Sequence, residues 1–302
     1  MNAASTNNKQ TLDMVASVML VVLCASWGLQ QVAVKVTNPC VPPLLQAGIR
    51  STGAACMLWL WMALRREPFI KRDGTLGWGI AAGLLFAGEF LLIYWGLEFT
   101  SASRAVVFLY MAPFVVALGA QLFIPGERLR VIQVMGLCCA FAGIVAAFSE
   151  SLSFPSCQML MGDGMLAGAA VLWGATTVMI RASPLARIPA SKTLLYQLLV
   201  SAVVLPLGSL LKGEGGVARV TPLVMASLAY QIIWVAFITY LTWFWLLRRY
   251  PPSRLASFTF LTPIFGVVAG GLLLNEPITR MLVVALVLVG SGIYLVNRPA
   301  AT

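Results

Sequence analysis

Helix-length runs of apolar residues follow one another along nearly the whole chain, and no soluble fold has room for them. They lie at Met14–Val36, Val41–Leu64, Leu76–Leu97, Ala105–Ile124 and Val131–Phe148, then at Leu160–Ile180, Thr193–Leu211, Pro222–Leu247, Leu255–Leu274 and Met281–Val296. Crossing the hydrocarbon core takes about 20 apolar residues in a helix. The runs are continuous, unlike the alternating segments of a membrane barrel. A helix satisfies its own backbone polar groups in lipid, so the pattern predicts an all-α membrane protein with ten transmembrane helices. The balance of residues agrees: 60% are hydrophobic and 10% charged, against roughly a quarter charged in soluble domains. The first run exceeds a signal-peptide core and reads as a retained span.

The net charge of +10 invites a nucleic-acid reading, but its distribution argues otherwise. With the N-terminus placed inside, Lys and Arg divide fourteen inside to five outside, and Arg50 is left within a span. This positive-inside bias predicts both termini in the cytoplasm of a multi-pass protein of the cell inner membrane. Membrane lipid headgroups, not nucleic acid, are then the partner of the basic loops. The chain has no histidine and no cysteine pair at zinc-ligand spacing, so no metal and no cofactor are expected. Cys24, Cys56, Cys138 and Cys139 fall in spans and read as small hydrophobes. Cys40 and Cys157 fall in loops on one side, where a bridge between them is left open.

The two halves resemble each other. Ser103-Arg104 through Pro113 lies on Ser253-Arg254 through Pro263, with Phe108 on Phe258 and Trp95 on Trp245. Trp27-Gly28 matches Trp173-Gly174, and each half ends in a loop glutamate (Glu127 or Glu276) before a glycine-bearing helix. Five helices per half is an odd number, so the second copy enters the membrane from the opposite face. The expected organisation is a cytoplasmic tail (1–13), a first five-helix repeat (14–148), a linker (149–159), a second repeat (160–296) and a second tail (297–302). Two inverted five-helix repeats around a central cavity are an architecture of alternating-access transporters.

At these residues the chain resembles the drug/metabolite transporter superfamily, in its EamA-type ten-helix exporter branch. The resemblance rests on the Trp-Gly first helices, the Ser-Arg…Pro helices and the Gly126-Glu127 and Asn275-Glu276-Pro277 loops. It implies a basket of helices, the first four of each half lining the path and the fifth supporting from outside. It implies an exporter of amino acids, other metabolites or toxic cations. The small four-helix multidrug relatives carry a glutamate in their first helix, and this chain has none there.

Polar residues inside spans are costly and mark candidate sites. Glu89 is the one acidic residue at mid-depth, suited to reversible protonation or to a substrate ammonium, or else to a structural hydrogen bond. Arg50 either meets a substrate carboxylate, pairs with Glu89, or holds a helix contact. Together they complement a zwitterion. Trp27, Gln30 and Gln31 of the first span, with Trp173 and Thr176 as repeat mates, offer a flat wall and donors, or packing. Tyr110, Tyr240, Phe258 and Phe260 add stacking surface, whereas Tyr94, Trp95 and Tyr250 sit at span ends as interfacial belt. Gln197 and Gln231 are intramembrane amides in need of partners. Pro113 and Pro263 free the carbonyls of Leu109 and Thr259, giving a gating bend or a static kink. Gly79-x-x-x-Gly83 and Gly266-x-x-x-Gly270 permit close packing. Glu127 and Glu276 are expected to pin helix ends.

The sequence therefore predicts a secondary transporter that exports amino acids or similar small metabolites, with protons as the candidate coupling ion. The alternative is proton-coupled efflux of lipophilic cations. An enzyme is not expected, since no nucleophile elbow or clustered acid–base group occurs. Neither a channel filter nor a nucleotide-binding loop is present, and oligomeric state is not written in the chain.

Overall fold

The computed structural model describes residues 11–67, 73–152 and 154–298; the expected tails at 1–13 and 297–302 fall largely outside them. Every regular element among the described residues is helical. The first half holds α1 (Met14–Thr37), α2 (Pro43–Leu64), α3 (Leu76–Gly96), α4 (Ala102–Leu109), α5 (Ala112–Phe123) and α6 (Val131–Phe148). The second holds α7 (Cys157–Ala182), α8 (Ala190–Lys212), α9 (Pro222–Ala229), α10 (Tyr240–Leu247), α11 (Pro252–Phe258), α12 (Leu261–Leu274) and α13 (Met281–Asn297). A π-helical stretch, Tyr230–Thr239, joins α9 to α10.

Eight segments are long and apolar enough to cross a membrane, counting α4–α5, α9–α10 and α11–α12 as single segments. Helix α13 is apolar but shorter, at 17 residues. Helix α2 is long enough at 22 residues but is not among the eight, with Gln46 and Arg50 within it. The starts are encoded locally. Asp13, Ser101, Ser156 and Thr221 each accept from a backbone N–H three residues on, which satisfies an orphan donor of the first turn. Gly213 ends α8 in the left-handed region at φ 74°. Pro113 and Pro263 coincide with interruptions at Tyr110–Met111 and Thr259–Phe260, which separate α4 from α5 and α11 from α12.

The packing partners are α1 with α12 and the π-helical stretch, α2 with α8 and that stretch, α3 with α7 and α8, α4 and α5 with α7, and α6 with α13. Small residues bring these backbones together. A Cβ on Gly28 would lie 2.7 Å from the Gly266 nitrogen, and one on Gly136 would lie 2.7 Å from the Gly292 oxygen. Gly79 packs on the Tyr196 ring and Gly83 on Val200. Gly136→Val should therefore push α6 off α13 at a cost of about 2 kcal/mol, the usual scale of overpacking. The drop would be read as a lower Tm of the detergent-purified protein; an unchanged Tm would mean that the two helices separate freely.

Two sequence expectations change here, and one open pairing is resolved. Tyr250 is not interfacial: it is buried, and its hydroxyl donates to Asp13 Oδ2 at 2.8 Å. Tyr94 and Trp95 are half-buried and pack on Ala47, Ala87 and Leu205. Cys40 and Cys157 are both free thiols. The loop glutamates do make tertiary contacts: Glu276 pairs with Lys35 of α1, and Glu127 accepts from Ser253 at the start of α11.

Candidate functional site

Arg50, two turns into α2, is 1% exposed. Its guanidinium carbon stands 4.6 Å from the centroid of the Phe90 ring. Neither Nε nor Nη2 has a hydrogen-bond partner among the described residues. Glu89, next to Phe90 on α3, is buried as well. The Arg50 charge acts on Glu89 and on the phenols of Tyr94 and Tyr240, so these four groups share one electrostatic neighbourhood.

Aromatic rings wall this neighbourhood. Phe86 meets Phe90 edge-on at 5.1 Å and Tyr240 at 6.0 Å, and Phe90 stacks with Tyr94 at 6.2 Å. Trp27 continues the wall, 6.4 Å from Tyr240 and 5.5 Å from Trp243, with its indole N–H donating to Thr239 Oγ1 at 2.9 Å. Gln30 approaches the Tyr240 hydroxyl. Edge-to-face aromatic pairs hold their rings rigidly, so the wall is set before anything binds.

Other expected site residues lie elsewhere. Gln31 is exposed and packs against Gly266 in the α1–α12 seam, because neighbours on a helix point about 100° apart. Thr176 is buried and spends its hydroxyl on the Leu172 carbonyl of its own helix, at 2.8 Å. Tyr110 and Trp173 form a second cluster, 5.8 Å apart, with Phe260 at 6.5 Å from Tyr110. Phe258 is buried, and its carbonyl accepts from the Cys24 thiol at 3.2 Å. Phe86, Phe90 and Trp243 escape the sequence reading, although Phe86 and Phe90 flank Glu89 at helical spacing.

The two ends of the bundle differ. At the far end, where α1 finishes, a cavity of about 510 Å³ is lined by Val34, Asn38, Pro42, Tyr94, Glu98 and Lys212, among others. Tyr94 belongs to both the cavity and the Arg50 neighbourhood. Glu214 braces the rim, accepting from Leu44 and Leu45 N–H at 3.3 and 3.1 Å and from Ser209 at 2.8 Å. At the near end, where α1 begins, polar contacts draw the helices together. Tyr250 reaches Asp13, Ser253 reaches Glu127 at 3.3 Å, and Arg181 reaches the Arg248 carbonyl at 3.2 Å. Burial raises the Glu127 carboxyl above its ordinary range. Lys192 pairs with Asp73 at 2.7 Å and holds that carboxyl well below its ordinary range. Helix α11 closes on α5 at this end.

Similarity to known proteins fits this arrangement. An uncharacterized transporter of Bacillus subtilis, YoaV, is 25% identical over 89% of this chain and 92% of its own length. A probable amino-acid metabolite efflux pump of Escherichia coli is 28% identical over 94% of each chain. A solved crystal structure superposes with a TM-score of 0.81 at 21% identity, covering 94% of this chain and 97% of its own, which establishes the shared fold. The EamA-like transporter family model matches twice, over residues 14–149 and again over 160–298. With both halves matched, this multi-pass membrane protein belongs to the EamA-like transporter family.

Proposed function

We propose that the chain is a secondary active exporter of amino acids or similar zwitterionic metabolites, working by alternating access across the inner membrane. The observation that carries this reading is the buried Arg50 guanidinium, its Nε and Nη2 without hydrogen-bond partners among the described residues, laid on Phe90, whose ring stacks with Tyr94 of the far-end cavity. A buried cation without a partner is costly unless something else neutralises it, and a substrate carboxylate would do so. Glu89 then takes the substrate ammonium. The same carboxyl can hold a proton instead. Proton and ammonium compete for one group, so the two move in opposite directions, and an inward proton gradient drives substrate outward.

The packing supports ten spans in two inverted repeats. Exchange each helix for its counterpart in the other half, and α3–α7 becomes the π-helical stretch on α1, α5–α7 becomes α12–α1, and α3–α8 becomes that stretch on α2, while α2–α8 and α6–α13 map onto themselves. The most extensive contact without its image is α11 on α5, since α4 and α12 make no comparable contact; a few slighter ones, such as α12 on α13, lack theirs as well. That asymmetry is what an alternating-access carrier needs, closed at one end and open at the other. The Lys and Arg distribution makes the closed near end cytoplasmic, so the structure reads as an outward-facing state.

The competing reading, efflux of lipophilic cations, is disfavoured by Arg50, whose charge acts on the same neighbourhood as Glu89 and repels a cation there. The experiment is flux in proteoliposomes with a panel of amino acids and cationic dyes, with and without a pH gradient. Amino-acid flux should follow the gradient, and Glu89→Gln should abolish that dependence while leaving exchange of substrate across the membrane. Dye flux without amino-acid flux would favour the cation reading, and gradient-driven flux in Glu89→Gln would remove Glu89 as the coupling site.

A further inference from the structure

Gln197 of α8 is fully buried, and neither its Nε2 nor its Oε1 has a hydrogen-bond partner among the described residues. Four residues on, Ser201 is equally buried with its hydroxyl unpaired, and across on α2 the Ser51 hydroxyl is unpaired as well. Buried polar groups are normally satisfied, and one that is not needs an explanation. A leucine at 197 and an alanine at 51 or 201 would fill these positions without that cost, so packing alone does not account for them.

Their place in the fold suggests an account. Leu194, Gln197, Ser201, Leu205 and Gly208 are all buried and recur at helical spacing on one face of α8. Helices α2 and α8 run antiparallel along this face: Gly48 abuts Pro206, and Leu44 lies beside Gly208. Arg50 is seven residues from the start of α2 at Pro43, and Gln197 is seven from the start of α8 at Ala190. The two starts lie at opposite ends of the bundle. With Gly48 level with Pro206, Gln197 sits about 10 Å nearer the near end than Arg50, at 1.5 Å of rise per residue. Gln197 is thus the counterpart of Arg50 in the second half. The spacing that sets Trp95 on Trp245 likewise sets Glu89 on Thr239 and Phe90 on Tyr240. Thr239 is already occupied, donating to the Val235 carbonyl at 2.6 Å and accepting from Trp27. On the α8 face opposite Arg50, the Gln197 amide and the Ser201 hydroxyl have no hydrogen-bond partner among the described residues.

We infer that Gln197 and Ser201 form an uncharged half-site that takes the polar head of the substrate when the near end opens, as Arg50 and Glu89 take it from the far-end cavity. An amide carries both a donor and an acceptor, so it can meet either end of a zwitterion. The inference rests on the alternating-access reading above.

The test is labelling by a membrane-impermeant thiol reagent from each face of oriented proteoliposomes, in a chain whose six native cysteines are replaced by alanine. Arg50→Cys should react from the far face. Gln197→Cys and Ser201→Cys should react from the near face alone. A mixture of the standard amino acids on that face, at about ten times its apparent Kd, should slow them about tenfold, since occupancy sets the protection. Ser201→Cys exchanges a single atom and keeps the test valid if Gln197→Cys fails to fold. Suppose Arg50→Cys reacts from the far face, while both α8 positions stay inert or ignore the amino acids. The half-site is then overturned and the outward-facing reading stands. If all three positions are inert from both faces, neither end opens onto this region and alternating access here fails, and this inference with it.

Discussion

Arg50→Met should cut kcat/KM for carboxylate-bearing substrates by about 100-fold while leaving Tm unchanged or higher. The loss follows from charge-assisted recognition: a buried guanidinium on a carboxylate is worth about 2–5 kcal/mol when one partner is removed, and about 3 kcal/mol is two decades. Stability should move the other way. The buried Arg50 has Nε and Nη2 without hydrogen-bond partners among the described residues, and its guanidinium lies on the Phe90 face. A cation–π contact returns roughly 1–2 kcal/mol, less than the cost of a desolvated charge. Methionine has a similar reach, no charge and a flexible stem that fills such a space. A structural arginine would behave oppositely, with Tm falling and KM unchanged. Arg50→Lys should not rescue transport, because an ammonium cannot offer the planar fork that matches a carboxylate. Full carboxylate transport by Arg50→Met would remove this residue from the site.

This prediction was within reach of the sequence, because a charge inside an apolar run announces its own cost. Arg50 and Glu89 stood out for that reason, and Pro113 and Pro263 because no other residue so reliably interrupts a helix. What escaped was rotation and distance. Gln30 and Gln31 are adjacent in sequence, yet one approaches Tyr240 and the other lies in the α1–α12 seam. Phe86 and Phe90 look like any lipid-facing phenylalanine until α3 is set against Tyr240. Tyr250 reads as an interfacial tyrosine because its partner, Asp13, is 237 residues away. The π-helical stretch at Tyr230–Thr239 carries no local signal, although such departures gather at functional sites. Arg104 and Lys192 counted as loop charges, since a charge near a span end normally faces water; both are buried on carboxylates.

Breaking the Arg104–Asp163 pair, through Arg104→Met or Asp163→Leu alone, should cost about 3 kcal/mol. The pair is buried between α4 and α7. Arg104 Nε donates to both Asp163 oxygens, at 3.2 and 3.1 Å, Nη2 adds a further contact, and the Thr100 hydroxyl donates to Oδ1 at 2.7 Å. Removing either partner strands the other charge with its hydration already lost. The double variant Arg104→Met/Asp163→Leu strands no charge and leaves only the Thr100 hydroxyl to find another acceptor, and hydrophobic replacement of a whole buried pair is often neutral or better. Its Tm in detergent should therefore recover most of the roughly 5–10 °C that each single change removes. The coupling between the two sites is then the measured interaction. Transport should separate the roles further. Helix α4 is the half of its span that must swing toward α12 if the far end closes, and the pair ties it to α7. A double variant that is stable but slow would mean that the ion pair guides this swing; one as unstable as the singles would mean that local packing, and not charge, holds α4 in place.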